Sequence, residues 1–326
     1  MIGRQRATPR MLLVVAAVLV LTALCAPVHG QDRVTRIGVL VFRVRALTAL
    51  PDVLARTLRE HGFVDGQNTR IDYRFAEGRT ERIAGLAAEL VRLKPAVIVA
   101  EDTPAAQGAK NATKTIPIVM VAGDPVATGI VESLARPGGN VTGIAGLGNE
   151  VAGKNLQLFR EIVPHATRVV VATRRTDAFG PLLIEQTRQA GVRLKIDVHE
   201  VIADMPDQPD AILAEVRKAN ASGLILQPAL ATVGLAEAAL RARVPAMSST
   251  AAFVRAGGLM AYGANREDLY RKMALSVVKI LKGARPAELP IEQPTQFDFA
   301  INLKTAKALG LTIPQALVLQ ADPVIQ

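Results

Sequence analysis

Six short stretches carry the polar residues best placed for chemistry, each just after an apolar run. They are Phe42-Arg43, Glu101-Asp102-Thr103-Pro104, Gly123-Asp124-Pro125, Thr173-Arg174-Arg175, Gln227-Pro228 and Ser248-Ser249-Thr250. These residue types suit capture of a small zwitterion. Thr103 followed by Pro104 reads as a helix N-cap with Pro at the first helical position. Its hydroxyl and the unpaired N–H groups of that helix start could hold a carboxylate. Ser248, Ser249 and Thr250 could do the same from another strand end, while Asp124 could accept from an ammonium group. Arg43, Asp102, Arg174, Gln227 and Tyr262 complete the predicted ligand-binding set. Plainer roles fit some of these residues equally well. Thr103 could only cap its helix, Asp124 could only shape a turn before Pro125, and Arg174 and Arg175 could be surface charges. Phe42, Phe179, Phe253 and Tyr262 are the rings available to stack on a ligand.

Catalytic patterns are missing. His61, His165 and His199 are the only histidines after residue 30, and no two stand at metal-ligand spacing. No G-x-S-x-G turn is present for a nucleophile. Gly148 to Asn155 approaches a phosphate loop, but Asn155 stands where the magnesium-binding hydroxyl belongs. No cofactor, no metal and no enzyme activity are therefore expected.

Positioning such residues requires strand ends, and the apolar runs supply them. Ile37 to Val41, Arg70 to Tyr73, Ala96 to Ala100 and Ile116 to Met120 read as strands. Amphipathic helical stretches lie between them, among them Ile83 to Leu93 and Thr103 to Ala112. This alternation predicts α/β architecture with parallel sheets and right-handed crossovers. The order then repeats. Thr35-Arg36-Ile37 is echoed by Thr167-Arg168-Val169, Arg70-Ile71-Asp72 by Lys195-Ile196-Asp197, and Ile116-Pro117-Ile118 by Val244-Pro245-Ala246, at nearly constant spacing. Two doubly wound parallel-sheet lobes follow, 31–148 and 149–257. A tail over 258–326 carries a helix from Arg266 to Leu281 and a strand at Phe297 to Ile301, and is expected to return at least partly to the first lobe. In open sheets of this kind, ligands bind at the carboxyl ends of the strands. Two facing lobes would gather all six polar stretches around one cleft.

The first residues predict export. Arg4, Arg6 and Arg10 precede an uncharged run from Met11 to Ala26, and Val28-His29-Gly30 offers a cleavage site. Residues 1–30 read as a signal peptide cut after Gly30, which places the protein in the periplasm. Cleavage removes Cys25, the only cysteine, so an ordinary core must hold the fold. It also removes three arginines from a formal charge of +10, leaving +7. The remaining Lys and Arg are scattered, with no like-charge run and no interleaved aromatics, so nucleic-acid binding is not expected. A monomer is expected.

Further motifs carry a family resemblance. Gly62-Phe63-Val64-Asp65-Gly66-Gln67-Asn68, the run Arg82 to Val91, Gly123-Asp124-Pro125-Val126 and Ser133 to Gly143 resemble the substrate-binding proteins of bacterial ABC transporters. Gly257 to Gly263 and Ile301 to Gly310 extend the resemblance to the end of the chain. It implies a type I periplasmic-binding-protein fold, with two α/β lobes on a multi-strand hinge that close on a small-molecule ligand. It also implies delivery to a membrane permease, and a similarity to aromatic amino-acid receptors. Phe42 to Leu50 departs from the Gly- and His/Pro-containing loop expected after the first strand. The leading expectation is a receptor for a small carboxylate-bearing ligand, an amino acid or similar metabolite. A periplasmic sensor using the same closure, or an exported enzyme on this scaffold, are the alternatives.

Overall fold

The computed structural model describes residues 34–146, 149–203 and 208–326. The predicted signal peptide, with Cys25, and the predicted lobe boundary at residue 148 lie outside the described residues. The first sheet has the order β2-β1-β3-β4-β5 and is parallel throughout. Its strands are β1 (Thr35–Val41), β2 (Thr69–Phe75), β3 (Val97–Glu101), β4 (Ile118–Ala122) and β5 (Val141–Ala145). Every residue of β3, β4 and β5 is buried. Helices on both faces of a parallel sheet force this, which is why the runs read as continuous Val, Ile and Ala. One face packs on α1 (Leu50–Glu60), the other on α2 (Ile83–Arg92) and α3 (Thr103–Ala112). Between β4 and β5, Gly138 and Gly139 take φ of 70° and 60°. Two successive left-handed residues are what lets Arg136 to Asn140 turn back into the sheet.

The second lobe repeats the plan. Its elements are α4 (Asn149–Ile162), β6 (Arg168–Arg174), α5 (Gly180–Leu194), β7 (Asp197–Ala203), α6 (Pro209–Lys218) and β8 (Leu224–Leu226). They continue with α7 (Val233–Arg241), β9 (Ala246–Ser248), α8 (Ala251–Arg255) and β10 (Met260–Ala264). The order β7-β6-β8-β9-β10 matches β2-β1-β3-β4-β5 strand for strand. The three sequence echoes fall on equivalent strands: β1 with β6, β2 with β7, and β4 with β9. Antiparallel β11 (Phe297–Asn302) joins the edge of β10, and β12 (Val324–Ile325) pairs with β11.

The chain changes sheets three times, after β5, after β10 and before β11. Asn265 follows β10, and its side chain accepts from the Asp268 amide at 2.8 Å to cap α9 (Arg266–Leu281). That helix leaves the second sheet and lies on the first. Leu269, Tyr270, Met273, Ala274 and Val277 are buried with Leu50, Leu54 and Leu58 of α1. Each large apolar side chain so buried contributes about 1.5–3 kcal/mol. Beyond α9, Glu292 docks on β5 through two backbone hydrogen bonds, to Gly143 and from Ala145, before the chain re-enters the second sheet as β11. α10 (Leu303–Ala308) and α11 (Gln315–Gln320) follow. Among the described residues, no helix is long and apolar enough to cross a membrane.

Candidate functional site in the cleft

The carboxyl ends of the two sheets face each other across a narrow cavity of about 60 Å³. Asp102, Thr103 and Gly123 wall it from the first lobe, and Asp177, Phe179, Gln227 and Ser249 from the second. Arg266, at the start of α9, closes it from the hinge side. In each sheet the strand order reverses beside the first strand, β1 or β6. Strand ends are therefore free of crossover helices there, which is the usual reason for a crevice at that point.

The first-lobe rim rests on a buried charge network. Glu101, the last residue of β3, is fully buried. Its carboxylate accepts from Thr48 Oγ1 at 2.9 Å, from Arg266 Nη1 at 3.2 Å and from the Tyr270 hydroxyl. Asp102 accepts from Arg43 Nε at 2.7 Å and from Arg266 Nη2 at 3.4 Å. Two carboxylates are thus matched by two guanidinium groups, the arrangement that burial of charge demands. Burial, helped by the charge of Asp102, holds the Glu101 pKa above the ordinary carboxylate value despite Arg266 and Arg43. Burial also acts to raise Asp102, but Arg43 and Arg266 outweigh it and hold that carboxyl below its ordinary value. Burial pushes the Tyr270 phenol upward, so it stays a donor. Asp102 has φ 72° and ψ 157°, a region almost reserved for glycine that costs about 1–3 kcal/mol. The two arginines fix the side chain that this backbone presents.

The second-lobe rim is amide-rich. Gln227 donates to Asp177 Oδ2 at 2.7 Å and accepts from the Arg174 amide at 2.8 Å. Asp177 Oδ1 accepts from the Phe179 amide at 3.0 Å. Burial raises Asp177 to about 6, with the charge of Asp102 adding to the effect against the Phe179 hydrogen bond and the charge of Arg174. At neutral pH Asp177 is a carboxylate on the cavity wall, and its hydrogen-bond donors among the described residues are neutral.

The lobes also touch directly. Arg43 Nη1 donates to the Pro228 carbonyl at 3.3 Å, and Arg174 Nη1 to the Gly78 carbonyl. The Arg174 guanidinium lies 5.2 Å from the centroid of the Phe42 ring. Thr80 and Thr176 share a hydroxyl hydrogen bond at 2.8 Å. A Cβ at Gly123 would come within 2.5 Å of the Phe179 ring, so glycine there is what lets the two rims meet.

Of the predicted site residues, the structure brings Asp102, Thr103, Gln227 and Ser249 to the cavity wall. Arg43 lies behind Asp102 and reaches across to Pro228, and Arg174 clamps the other side. Thr103 is not the N-cap. Its helix starts on Asp102, and the Thr103 hydroxyl accepts from the Gly123 amide at 3.1 Å, tying β3 to β4. Pro104 is buried in the first turn. Ser248 turns inward, donating to the Leu226 carbonyl at 3.2 Å. Asp124 does not line the cavity. Its carboxylate accepts from the Val126 and Ala127 amides at 3.2 and 2.9 Å, which makes it the turn-former of the plainer reading. Tyr262 points to the other side of its sheet, with ring centroids 5.7 Å from Phe297 and 6.4 Å from Phe299.

Arg266 and Asp177 are cavity-wall residues that sequence reasoning missed, whereas Glu101 stood in one of the six stretches but not in the predicted ligand-binding set. Arg266 is the first residue of a helix whose start was legible, so its place after a strand end was the available signal. Asp177 sits three residues past β6 in an irregular stretch, and nothing in its spacing announced it. Among the described residues no three His, Cys, Asp or Glu side chains gather as metal ligands.

Residues 37–325 match the family model described as ABC transporter substrate binding protein. The chain belongs to this family. Over 268 residues, 78% of this chain and 75% of the relative, it is 26% identical to a tyrosine-binding protein of Clostridioides difficile (strain R20291). The ABC domain from Streptococcus pneumonia in complex with L-Trp superposes with a TM-score of 0.83 at 26% identity, covering 89% of this chain and 99% of that one. A ligand-free, open substrate-binding protein with adhesive properties from Clostridium difficile gives 0.63 at 26% identity, covering 86% and 97%. The fold is that of type I periplasmic binding proteins.

Proposed function

We propose that this substrate-binding protein is the extracytoplasmic receptor of an ABC importer and that it captures an amino acid, or a similar small carboxylate-bearing metabolite, between its lobes. The observation that carries the reading is a cavity walled by both lobes at the strand ends, with the Asp177 carboxylate, the Arg266 guanidinium and the Ser249 hydroxyl all on its wall. Asp177 meets the ammonium group. The ligand carboxylate faces Arg266, the Ser249 hydroxyl and the start of α3, where the helix dipole favours negative charge. Ligand contacts made by both rims exist only when the rims approach, so ligand shifts the population toward closure by its differential affinity. At equal identity, the better superposition on the L-Trp complex than on the open structure supports a receptor whose lobes are drawn together. A closed receptor then docks on a membrane permease.

The test is a thermal-shift screen of residues 31–326 against amino acids, organic acids, sugars and nucleosides. A ligand at 100 times its dissociation constant adds about 2.7 kcal/mol of stability. A hit among the amino acids that disappears in Asp177→Ala supports the reading. A hit confined to sugars or nucleosides overturns the ligand class, and an amino-acid hit indifferent to Asp177→Ala overturns the site.

A further inference from the structure

The two lobes meet through a pair of side chains at equivalent positions. Phe42 follows Thr35 at the same spacing as Arg174 follows Thr167, and Thr35 and Thr167 open the matching echoes of the two lobes. Both stand where a strand ends, Phe42 just past β1 and Arg174 as the last residue of β6. The Arg174 guanidinium lies 5.2 Å from the centroid of the Phe42 ring and donates through Nη1 to the Gly78 carbonyl. Phe42 is 1% exposed and Arg174 2%. Each is anchored in its own lobe. Phe42 packs in the first-lobe core with Leu40, Ala76 and Ile98. Arg174 pairs with Ala203 of β7 and gives its amide to Gln227. Thr80 and Thr176, which follow Gly78 and Arg174 closely in the chain, bring their hydroxyls to 2.8 Å. Among the described residues, the wall of the polar cavity includes none of Phe42, Gly78, Thr80, Arg174 and Thr176.

We infer that Phe42, Arg174 and the Gly78 carbonyl form an interlobe latch that sets how often the lobes close. Arg174 is then a positioning residue that scales the affinity for every ligand by one common factor while touching none of them. A cation over an aromatic ring gains most when both groups are desolvated, and a hydrogen bond from a guanidinium is among the stronger ones. Opening the lobes breaks both contacts at once. It also returns a buried guanidinium to water, and that hydration offsets much of the loss. The latch therefore biases closure without locking it, which leaves ligand contacts able to tip the balance. A receptor whose binding-competent state is only partly populated shows an affinity reduced by that fraction. The inference rests on the closure in the receptor reading above, but its test uses no ligand, so the two can fail separately.

Residues 31–326 contain no cysteine, so a cysteine pair placed across the lobes reports closure. The parent protein for the test carries Thr80→Cys and Thr176→Cys, whose sulfurs can bond only while the lobes meet. Diamide should cross-link the parent within one chain, at a rate that follows the closed population. Arg174→Met keeps the length of the side chain and removes its charge, and should slow cross-linking about three- to ten-fold. Phe42→Leu keeps an apolar side chain and removes the ring face, and should also slow it. The double variant should be no slower than Arg174→Met alone, because the two residues share one contact. Small-angle scattering without ligand should show a larger radius of gyration for Arg174→Met, returned to the wild-type value once cross-linked. That rescue separates lost closure from lost fold, and if Arg174→Met does not fold, the rate of Phe42→Leu decides. Equal rates in the parent and in each folded variant would overturn the latch and leave the receptor reading standing. A parent that never cross-links within one chain would overturn the latch together with the closure on which the receptor reading depends.

Discussion

The two rims of the cleft are built from equivalent strands and do different work. At the first-lobe rim, Glu101 and Asp102 are held by Arg43 and Arg266, with Thr48 and Tyr270 filling further hydrogen-bonding positions on Glu101. At the second-lobe rim, Asp177 is held, among the described residues, by a side-chain amide and a backbone N–H. A carboxylate already matched by two guanidinium groups has little left to offer a ligand cation, whereas one held by neutral donors keeps its charge available. The two lobes have equivalent strand ends, and the charges around them differ: the first rim's carboxylates are consumed by arginines, and the second rim's carboxylate is not. The hinge helix α9 makes the first rim possible, because it delivers Arg266 and Tyr270 to a lobe whose own strands lack them.

Removing the centre of the scaffold has the largest expected effect. Glu101→Ala leaves Arg43 and Arg266 with too little buried negative charge, and urea denaturation should show a loss of about 3–5 kcal/mol. A loss below about 1 kcal/mol would mean that the network is not structural. Next comes Gly123→Val, which places methyl groups where the Phe179 ring lies. Overpacking at such a contact costs about 1–3 kcal/mol. The cost falls on closure, so calorimetry should find amino-acid affinity reduced about 5- to 150-fold, with the fold intact.

Asp177 separates the rims by pH. Its pKa is raised to about 6 in the folded protein, so between about pH 4 and 6 the native state binds more protons than the unfolded chain. Its contribution to stability therefore falls as pH rises through that window and is least favourable at pH 7, by about 3 kcal/mol for a two-unit shift. Denaturation of Asp177→Asn at pH 4.5 and 7 should show a flatter pH slope than wild type, and an unchanged slope would place the titration elsewhere. The smallest effect is expected for Asp124→Ala. Loss of its turn hydrogen bonds should cost about 1 kcal/mol of stability, with ligand affinity unchanged. A loss of affinity would return Asp124 to the site.

The doubly wound lobes were legible because buried parallel strands write themselves as continuous Val, Ile and Ala, and because the echoes fall on matching strands. The facing strand ends that wall the candidate site followed from that. Its residues were only partly legible. Spacing shows that Asp124 and Tyr262 lie at or near strand ends, but not that the Asp124 carboxylate is consumed by the amides two and three residues on, or that Tyr262 alternates to the far face. Arg266 and Asp177 depend on tertiary placement, one by a helix that changes lobes and one by an irregular loop. Asp177 has no local signature, and the helix start that marks Arg266 does not say which lobe it serves.

The most direct test is calorimetric titration of residues 31–326, at pH 7.5 and pH 5, with the amino acid that gives the largest shift in the thermal screen. With a pKa of about 6, only about a tenth of Asp177 is ionised at pH 5. A receptor that holds the ligand ammonium on Asp177 should bind it one-to-one at pH 7.5 and about ten-fold more weakly at pH 5. That pH dependence should be gone in Asp177→Asn. Equal affinity at both pH values would contradict this role for the cleft.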